Sequence, residues 1–307
     1  YMLSVLLLLA GCARPAPLRV GALYDWTLGD KSFHDQVHAA LLHAKAQFGI
    51  GYEYVETNKT LDMAGGIESL IRHGCGLVIA NGFTFSEEMT YAARRHPDVR
   101  FVCTYYAASP QASMPPNLLG LSFRGEEGSY LVGALAALVS RTGAVGFVGG
   151  MLSPVVRRYE LGFGAGARAA RPGVRVLAAY AGQTVEAFEN PAKGRALAEA
   201  MYGQGVDVVY HAADRTGLGV FDAARQAGRW AIGVEMDQRE FGLDPTTGRS
   251  VVLTSRVIRV ERALHEVIAD CLAGRFAGGM RELGLAEDGV GYVYDEHNRD
   301  LIPAEVI

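Results

Sequence analysis

The feature that most constrains the fold of this chain is the regular alternation of short apolar segments with longer amphipathic ones. Residues 18–24 and 77–81 are rich in branched aliphatic side chains and have the length of buried strands. Residues 32–48 carry apolar side chains at helical spacing. Strands that alternate with helices predict parallel sheets joined by right-handed crossovers, so we expect an α/β protein.

The number of predicted strands indicates two lobes. About ten strands would approach the upper limit for one open sheet, so two sheets of about five are favoured. We expect two Rossmann-like lobes that divide near Phe123 and Arg124, with several crossings of the chain between them. Ligands of such folds bind beyond the carboxyl ends of the strands, so the lobes are expected to form one cleft that closes by hinging. The predicted N-terminal lobe comprises residues 18–123 and about 252–277, and the predicted C-terminal lobe comprises residues 124–251 and about 278–307.

Composition excludes several classes of protein. The chain has 307 residues, of which 50% are hydrophobic and 20% charged, and this is the composition of a globular protein long enough for two domains. The formal net charge of −4 gives no reason to expect a nucleic acid partner. The chain has no Cys-x-x-Cys pair and no array of zinc-site spacing, so we predict neither a metal nor a cofactor.

Residues 1–17 differ from the rest of the chain. The apolar run over residues 3–9 is too short to span a bilayer, and it ends in Leu9-Ala10-Gly11-Cys12. This ending resembles the lipobox of bacterial lipoproteins, in which the cysteine is lipidated after export. We therefore expect a lipid on Cys12 that anchors the protein in the cell envelope, either in the periplasm or on the outer face of the cytoplasmic membrane. The alternative is a buried strand that happens to end in Gly-Cys.

The other three cysteines are expected to be buried and reduced. An odd number permits at most one disulfide, and two of the three lie near apolar strand segments, where thiols act as small hydrophobic groups. These cysteines are Cys75, Cys103 and Cys271.

The loop after the first predicted strand is a candidate ligand site. It contains Trp26, Asp30, Phe33 and His34 and leads into the first helix. A flat ligand could stack on Trp26 or Phe33, and His34 could form hydrogen bonds with the ligand's heteroatoms. The alternative is that Phe33 is simply the first core residue of the helix.

A second candidate lies in the later part of the chain. Asp214, Thr216 and Gly217 form a turn between a predicted strand and a helix, where backbone N–H groups would favour an anion or sugar oxygens. Glu235 ends the next strand, about where a dinucleotide-binding fold keeps its ribose-binding acid. The third glycine of that fingerprint is replaced by Asp222, so a nucleotide-cofactor enzyme is the weaker interpretation. Glu235 and Asp237 could act as an acid/base pair, but no nucleophile elbow, Walker A motif or metal cluster accompanies them, so we predict no catalysis.

The order of motifs along the chain resembles that of the basic membrane protein family of bacterial lipoproteins. This resemblance implies a type I periplasmic-binding fold and delivery of a ligand, in the best-known cases a purine nucleoside, to the permease subunits of an ABC importer. A ligand-sensing receptor of the same fold is the alternative. The matching motifs are Asp30-Lys31-Ser32-Phe33, Gly82-Phe83, residues 96–101, 123–128, 145–151, 160–163, 216–219, 232–234 with Asp237-Gln238, and 253–255.

Several departures from the family pattern fall on the positions that the resemblance assigns to the ligand. In nucleoside-binding relatives an acid and a lysine hold the ribose, while an asparagine and another acid read the base. The residues that differ here are His34 for asparagine, Tyr105 for an acid, Glu235 for aspartate, Ile258 for lysine with Arg256 or Arg259 nearby, and Asp214 for glycine. The loss of a buried hydrogen-bond partner costs about 1–3 kcal/mol, so several such changes predict a different ligand. We expect a purine base or another flat heterocycle rather than an intact nucleoside.

Two aromatic side chains, Phe33 and Phe188, are expected to sandwich the ring of this ligand, with support from Trp26 or Tyr105. The full set of predicted ligand-binding residues is Trp26, Asp30, Phe33, His34, Phe83, Tyr105, Phe188, Asp214, Thr216, Gly217, Glu235 and Arg256.

Overall fold

Two α/β lobes, each built on a six-stranded sheet, form the part of the chain that the computed structural model describes. The predicted alternation of strands and helices is confirmed, and the fold has two sheets rather than one. The predicted lipidation site Cys12 lies outside the described residues, as do Trp26, Asp30 and the side chain of Phe33. The described residues are 17–25, 27–29, 33–57, 62–107 and 113–302, with the Phe33 side chain excepted.

The first lobe contains a parallel sheet with helices on both faces, and the chain forms five of its six strands before it leaves the lobe. Continuous apolar runs explain why these segments form strands of a sheet covered on both faces, since β1, β3 and β4 are almost entirely buried. The elements are β1 (Arg19–Tyr24), α1 (Phe33–Phe48), β2 (Gly51–Glu56), α2 (Met63–Arg72), β3 (Leu77–Asn81), α3 (Ser86–Arg95), β4 (Arg100–Thr104) and β5 (Leu118–Phe123).

The second lobe repeats this arrangement. Its helix α5 starts where Ser153 caps the backbone N–H of Val156 and Pro154 takes the first helical position, a favourable start for a helix. Its elements are α4 (Gly125–Val139), β6 (Ala144–Met151), α5 (Pro154–Ala170), β7 (Arg175–Gly182), α6 (Pro191–Gly203), β8 (Val208–Ala212), α7 (Thr216–Ala227), β9 (Trp230–Glu235) and β10 (Val252–Ile258).

The last elements of the chain are divided between the lobes. They are α8 (Val260–Leu272), β11 (Gly279–Leu283) and β12 (Val290–Tyr292). Strand β11 pairs with β5 at the edge of the first sheet, and β12 pairs antiparallel with β10 in the second. The strand orders are β11-β5-β4-β3-β1-β2 and β12-β10-β9-β8-β6-β7.

Two parts of the predicted lobe boundaries are wrong. Strand β10 was expected in the N-terminal lobe, but it pairs in parallel with β9 in the second sheet. Strand β11 was expected in the C-terminal lobe, but it belongs to the first sheet. The predicted division at Phe123 and Arg124 agrees with the end of β5 and the start of α4. The chain therefore crosses between the lobes after β5, after β10 and after β11, so three connections join the lobes.

Hydrophobic cores lie on both faces of each sheet. In the first lobe, α1 and α8 cover one face and α2 and α3 the other. In the second lobe, α4 and α5 cover one face and α6 and α7 the other. Cys75, Cys103 and Cys271 are buried and unpaired, as predicted. None of the helices within the described ranges is long and apolar enough to cross a bilayer.

Candidate functional site

Strand ends from both lobes meet at the cleft, and three of them carry unusual backbone conformations. Tyr105, Asp214 and Glu235 follow or end β4, β8 and β9 and have φ angles of 53°, 44° and 68°. Residues other than glycine rarely adopt this left-handed backbone conformation, and such backbone strain concentrates at ligand sites. The backbone turns sharply at these positions and directs all three side chains to one cavity.

The cavity between the lobes has a volume of about 100 Å³. One ordered water needs about 10–15 Å³ by the same kind of measure, so there is room for a small solute rather than for solvent alone. The first lobe lines the cavity with Asp25, His34, Gly82, Phe83, Thr84 and Tyr105. The second lobe contributes Ser153, Val155, Val156, Tyr159, Val185, Phe188, Ala212, Asp214, Val234 and Glu235.

A chain of hydrogen bonds fixes the polar wall of the first lobe. The Thr104 hydroxyl donates to Asn81 Oδ1, which leaves the Asn81 amide N–H to donate to His34 Nδ1 at 3.0 Å. His34 therefore carries its proton on Nε2 and donates it to Asp25 Oδ1 at 2.9 Å. The Thr84 hydroxyl donates to Asp25 Oδ2 at 2.8 Å. Asp25 is thus held as an acceptor at the cavity wall.

A buried polar cluster closes the opposite side of the cavity. The Tyr105 hydroxyl of the first lobe donates to Glu235 Oε2 of the second lobe at 3.1 Å. Arg256 Nη2 donates to Glu235 Oε1 at 2.8 Å, so both carboxylate oxygens have partners. Gln36 of α1 also crosses between the lobes, since its Nε2 donates to the backbone oxygen of Glu235 at 3.1 Å. The bonds from Tyr105 and Gln36 to Glu235 hold the two lobes together at the strand ends.

Arg256 is the largest fully buried side chain of the described residues. Its guanidinium lies 4.5 Å from the centre of the Tyr159 ring, and its Nε donates to the Tyr210 hydroxyl at 3.2 Å. Burial alone would lower the pKa of Arg256, but the negative charge of Glu235 raises it, so the group stays charged. Burial, reinforced by the Glu235 charge, raises the pKa values of Tyr105 and Tyr159, so both phenols remain protonated.

Aromatic side chains form the remaining walls. The Phe188 ring packs on Gly150 at the end of β6, where a Cβ atom would lie 2.3 Å from the ring. Phe83 follows β3, and Tyr159 projects from the first turns of α5. The Tyr105 and Phe123 ring centres lie 6.0 Å apart, which supports the Tyr105 ring from behind. The cavity is therefore mainly apolar with polar groups at two sides, a common form for a small-molecule site.

The structure brings together six of the predicted ligand-binding residues. His34, Phe83, Tyr105, Phe188, Asp214 and Glu235 all line the cavity. Three others do not: Thr216 is fully buried and donates to the backbone oxygen of Ala187, Gly217 packs against the His211 ring, and Arg256 lies behind the cavity wall.

The sequence analysis missed several lining residues. Asp25 was not among the predicted ligand-binding residues, although its position directly after β1 was the available signal. Ser153, Val155, Val156 and Tyr159 come from the start of α5, where the Ser-Pro helix start directly after β6 was the signal. The described residues contain no group of three or more His, Cys, Asp and Glu side chains able to hold a metal ion.

These features define a class of protein. The chain has two α/β lobes joined by three connections, with a mainly apolar cavity at their facing strand ends. This is the architecture of a solute-binding protein of the type I periplasmic fold. The chain belongs to the Bmp family, described as ABC transporter substrate-binding protein PnrA-like, whose family model matches residues 18–305. It is therefore a substrate-binding protein of an ABC transporter and not an enzyme, and it acts on the extracytoplasmic side of the membrane.

Individual proteins agree with this assignment. Basic membrane protein A2 of Borrelia garinii is 31% identical over 294 residues, which are 94% of this chain and 82% of the relative. The ABC transporter nucleoside-binding protein BmpA of Lactococcus lactis is 33% identical over 75% of this chain and 67% of its own length. A solved solute-binding protein of an ABC transporter system from Aeropyrum pernix superposes with a TM-score of 0.79 at 28% identity, over 94% of this chain and 82% of that one.

Proposed function

We propose that this protein captures a flat heterocyclic solute, of purine type, in the cavity between its lobes and delivers it to the permease of an ABC importer. The walls that would hold the ring are Phe83, Tyr159 and Phe188. Polar groups at the strand ends, among them Asp25, Asp214 and Glu235, would fix its orientation. The predicted contributions of Trp26, Asp30 and Phe33 belong to the same proposal.

The observation that carries the proposal is the small, mainly apolar cavity with aromatic walls. A flat ring buries much apolar area against such walls, and offset or edge contacts between aromatic rings add about 0.5–1.5 kcal/mol per pair. The relative from Lactococcus lactis is named a nucleoside-binding protein, and a nucleoside also contains a flat base. Both facts favour a heterocycle over a sugar or an amino acid.

The polar cluster at Glu235 favours a base over an intact nucleoside. A ribose bound there would compete for the carboxylate oxygens with Tyr105 and Arg256, each of which already donates to one of them. Each buried polar group left without a partner costs about 1–3 kcal/mol. The gain from binding a sugar at this end would therefore be offset by the bonds that it displaces.

Thermal-shift measurements on the purified protein test this function. We expect adenine, hypoxanthine and other flat heterocycles to raise Tm, since a ligand that binds only the folded state stabilises it by mass action. Strong stabilisation by inosine and guanosine, with no effect of free bases or other heterocycles, would contradict the proposal.

We also propose that a lipid on Cys12 anchors the protein at the membrane. The Leu9-Ala10-Gly11-Cys12 sequence and the Pro/Ala-rich residues 13–17 support this, since they fit a lipidation site followed by a tether. A Cys12→Ser variant expressed with its leader should move from the membrane fraction to the soluble fraction, whereas a Cys271→Ser variant should not. Unchanged membrane association of Cys12→Ser would contradict the anchor.

A further inference from the structure

The second lobe contains a further pocket, separate from the cavity between the lobes. Its volume is about 410 Å³, which is within the range of about 300–1,000 Å³ for small-molecule sites. Trp230 at the start of β9 lines this pocket, whereas Glu235 at the end of the same strand lines the cavity between the lobes. A strand of six residues is about 17 Å long, so the pocket lies at the opposite edge of the sheet from the cavity.

Arginine side chains line this pocket. The guanidinium groups of Arg141, Arg229 and Arg249 form neither ion pairs nor hydrogen bonds within the part of the chain that the structure describes. A fourth lining residue, Arg225, is already occupied, because it forms an ion pair with Asp222. Each guanidinium group has five N–H donors, so the other three arginines present a large unused donor capacity to one pocket.

The loop that carries Arg141 is fixed by a buried carboxylate. Asp207 Oδ2 accepts hydrogen bonds from the backbone N–H groups of Arg141 at 2.7 Å and Thr142 at 3.1 Å. Asp207 Oδ1 accepts from the Ser140 hydroxyl at 2.6 Å. This acid therefore holds the loop in place, and the groups that engage it belong to the loop rather than to the Arg141 guanidinium.

A helix end fixes the position of Arg229. Gly228 follows α7 with a left-handed φ angle of 58°, a conformation that glycine adopts without strain. The backbone N–H groups of Gly228 and Arg229 donate to the carbonyl oxygens of Arg225 at 3.3 Å and Ala224 at 3.0 Å, which is the pattern of a Schellman cap. The cap satisfies these carbonyl groups and leaves Arg229 beside Trp230 at the edge of the pocket.

A tight turn fixes the position of Arg249. The backbone N–H of Asp244 donates to the Arg249 carbonyl oxygen at 2.8 Å, and Asp244 Oδ1 accepts from the backbone N–H of Thr246 at 2.7 Å. Asp244 and Asp207 are the two acidic residues of the pocket lining, and N–H groups of their own turns engage both. Because the three arginines stand on hydrogen-bonded turns, less conformational freedom is lost when they bind a ligand.

We infer that this pocket binds a phosphate-bearing solute through Arg141, Arg229 and Arg249, with the Trp230 ring as an apolar wall. Arginine suits phosphate because its planar guanidinium donates two parallel hydrogen bonds to phosphate oxygens and stays charged. A neutral solute would gain little from these groups and would compete with their hydration. The pocket and the cavity between the lobes have no lining residue in common, so this inference does not depend on the proposed function.

Trp230 provides a spectroscopic test. The chain contains two tryptophans, so Trp230 is the sole tryptophan of a Trp26→Phe variant. Inorganic pyrophosphate is titrated into this protein, and potassium chloride of the same ionic strength is titrated in parallel. We expect a saturable change in Trp230 fluorescence with pyrophosphate and none with the chloride. The absence of a saturable response to pyrophosphate would overturn the inference.

Substitutions in the Trp26→Phe background provide the second arm. We expect Arg229→Gln and Arg249→Gln each to weaken pyrophosphate binding about tenfold, because each removes a charged double donor. Neither guanidinium bonds to the rest of the described chain, so both variants should keep the Tm of the Trp26→Phe protein. Arg195→Gln is the matched control, because Arg195 pairs with Glu199 on the surface of α6, outside the pocket, and its loss changes the net charge equally. Parent-like affinity of both pocket variants, or an equal loss in Arg195→Gln, would overturn the inference.

A soluble phosphorylated compound and a phospholipid headgroup share this chemistry. Sedimentation of the Cys12→Ser protein with phosphatidylglycerol vesicles distinguishes the two sources, and phosphatidylcholine vesicles serve as the neutral control. Binding of pyrophosphate without sedimentation identifies a soluble solute. Sedimentation with phosphatidylglycerol alone, lost in Arg229→Gln, identifies a headgroup. If the protein binds neither pyrophosphate nor phosphatidylglycerol, the pocket is not a phosphate site.

Discussion

The hydroxyl of Tyr105 donates a hydrogen bond across the cleft to Glu235 Oε2 at a distance of 3.1 Å. Tyr105 follows β4 of the first lobe, and Glu235 ends β9 of the second. Both residues have left-handed backbone conformations, so the main chain of each lobe is turned toward this contact. The bond therefore links the relative position of the lobes to the shape of the cavity.

Removal of the Tyr105 hydroxyl should loosen the closed state. In Tyr105→Phe the ring and its packing on Phe123 remain, but Glu235 Oε2 loses its donor. We expect the free energy of unfolding to fall by about 1–3 kcal/mol, because a buried charged acceptor is left unsatisfied. Small-angle scattering should show a larger radius of gyration of the unliganded protein, and urea denaturation gives the stability.

Tyr106→Phe is the matched control for this prediction. The neighbouring Tyr106 hydroxyl is also buried and bonds to the Thr90 hydroxyl at 2.7 Å, but that contact lies within the first lobe. The control should lose stability without a change in the radius of gyration. If both variants leave the scattering profile unchanged, the contact between Tyr105 and Glu235 does not hold the lobes together.

Loss of the Arg256 charge should destabilise the second lobe strongly. In Arg256→Met the Glu235 carboxylate stays buried without its cation, and breaking a buried pair in this way costs about 3–5 kcal/mol. The double variant with Glu235→Gln removes the isolated charge and should recover part of that loss. Denaturant unfolding of the two single variants and the double variant gives the coupling energy. Additive effects would show that the pair is not coupled.

The position of Phe188 should depend on the missing side chain at Gly150. A Cβ atom there would lie 2.3 Å from the Phe188 ring, so Gly150→Ala must displace the ring from the cavity wall. We expect affinity for flat heterocycles to fall about tenfold, the equivalent of about 1.4 kcal/mol of lost contact. Gly203→Ala is the control: a Cβ atom there meets nothing within 4 Å, and affinity should not change. Parent-like affinity of Gly150→Ala would remove Phe188 from the binding wall.

Acid should destabilise the fold through His211. Burial lowers the pKa of this imidazole to about 3, whereas in an unfolded chain it is about 6.5. Between these values the unfolded chain binds a proton that the folded protein excludes, so the free energy of unfolding falls as pH falls. From pH 6.5 to pH 5 the loss due to this group should be about 2 kcal/mol.

Comparison with His211→Leu isolates this effect. The leucine does not titrate, so urea denaturation of the variant at several pH values should show a shallower decline than the parent between pH 6.5 and pH 5. The absolute stability of the variant is not at issue, only its pH dependence. Identical pH dependence of the two proteins would mean that His211 does not exclude a proton in the folded state.

The sequence alone predicted the element types and the two-sheet architecture, because strand and helix periodicities are local properties. It could not predict which sheet each late strand joins. Strand β10 was assigned to the first lobe, but its partner β9 is separated from it only by a loop with a short helical turn at Arg239–Gly242. The apolar face of α8, which packs on the first lobe, is compatible with either sheet when read from sequence. Pairing depends on long-range contacts that no local pattern contains.

The candidate site was likewise predicted in part: the sequence indicated which residues lie near strand ends but not how their side chains are oriented. Glu235 at the end of β9 was predicted because parallel strands place such residues at one edge, and His34 was predicted because the loop after β1 leads into the first turn of α1. Arg256 was predicted to bind the ligand, but in the structure it is buried behind Tyr159, where it forms an ion pair with Glu235. The Thr216 hydroxyl does not line the cavity. It donates to the backbone oxygen of Ala187 and accepts from the backbone N–H of Asn190. A sequence shows that a polar residue is near a strand end but not which way its side chain is turned.

The most direct test of the central claim is mass spectrometry of the small molecules released from the protein when it is purified in its native state. Two lobes that close on a planar solute between aromatic walls should retain a flat heterocycle without an attached sugar. The account predicts that such a compound is recovered in near-stoichiometric amount from the parent and is depleted in Gly150→Ala. Recovery of an intact nucleoside, a sugar or an amino acid as the bound solute would contradict it.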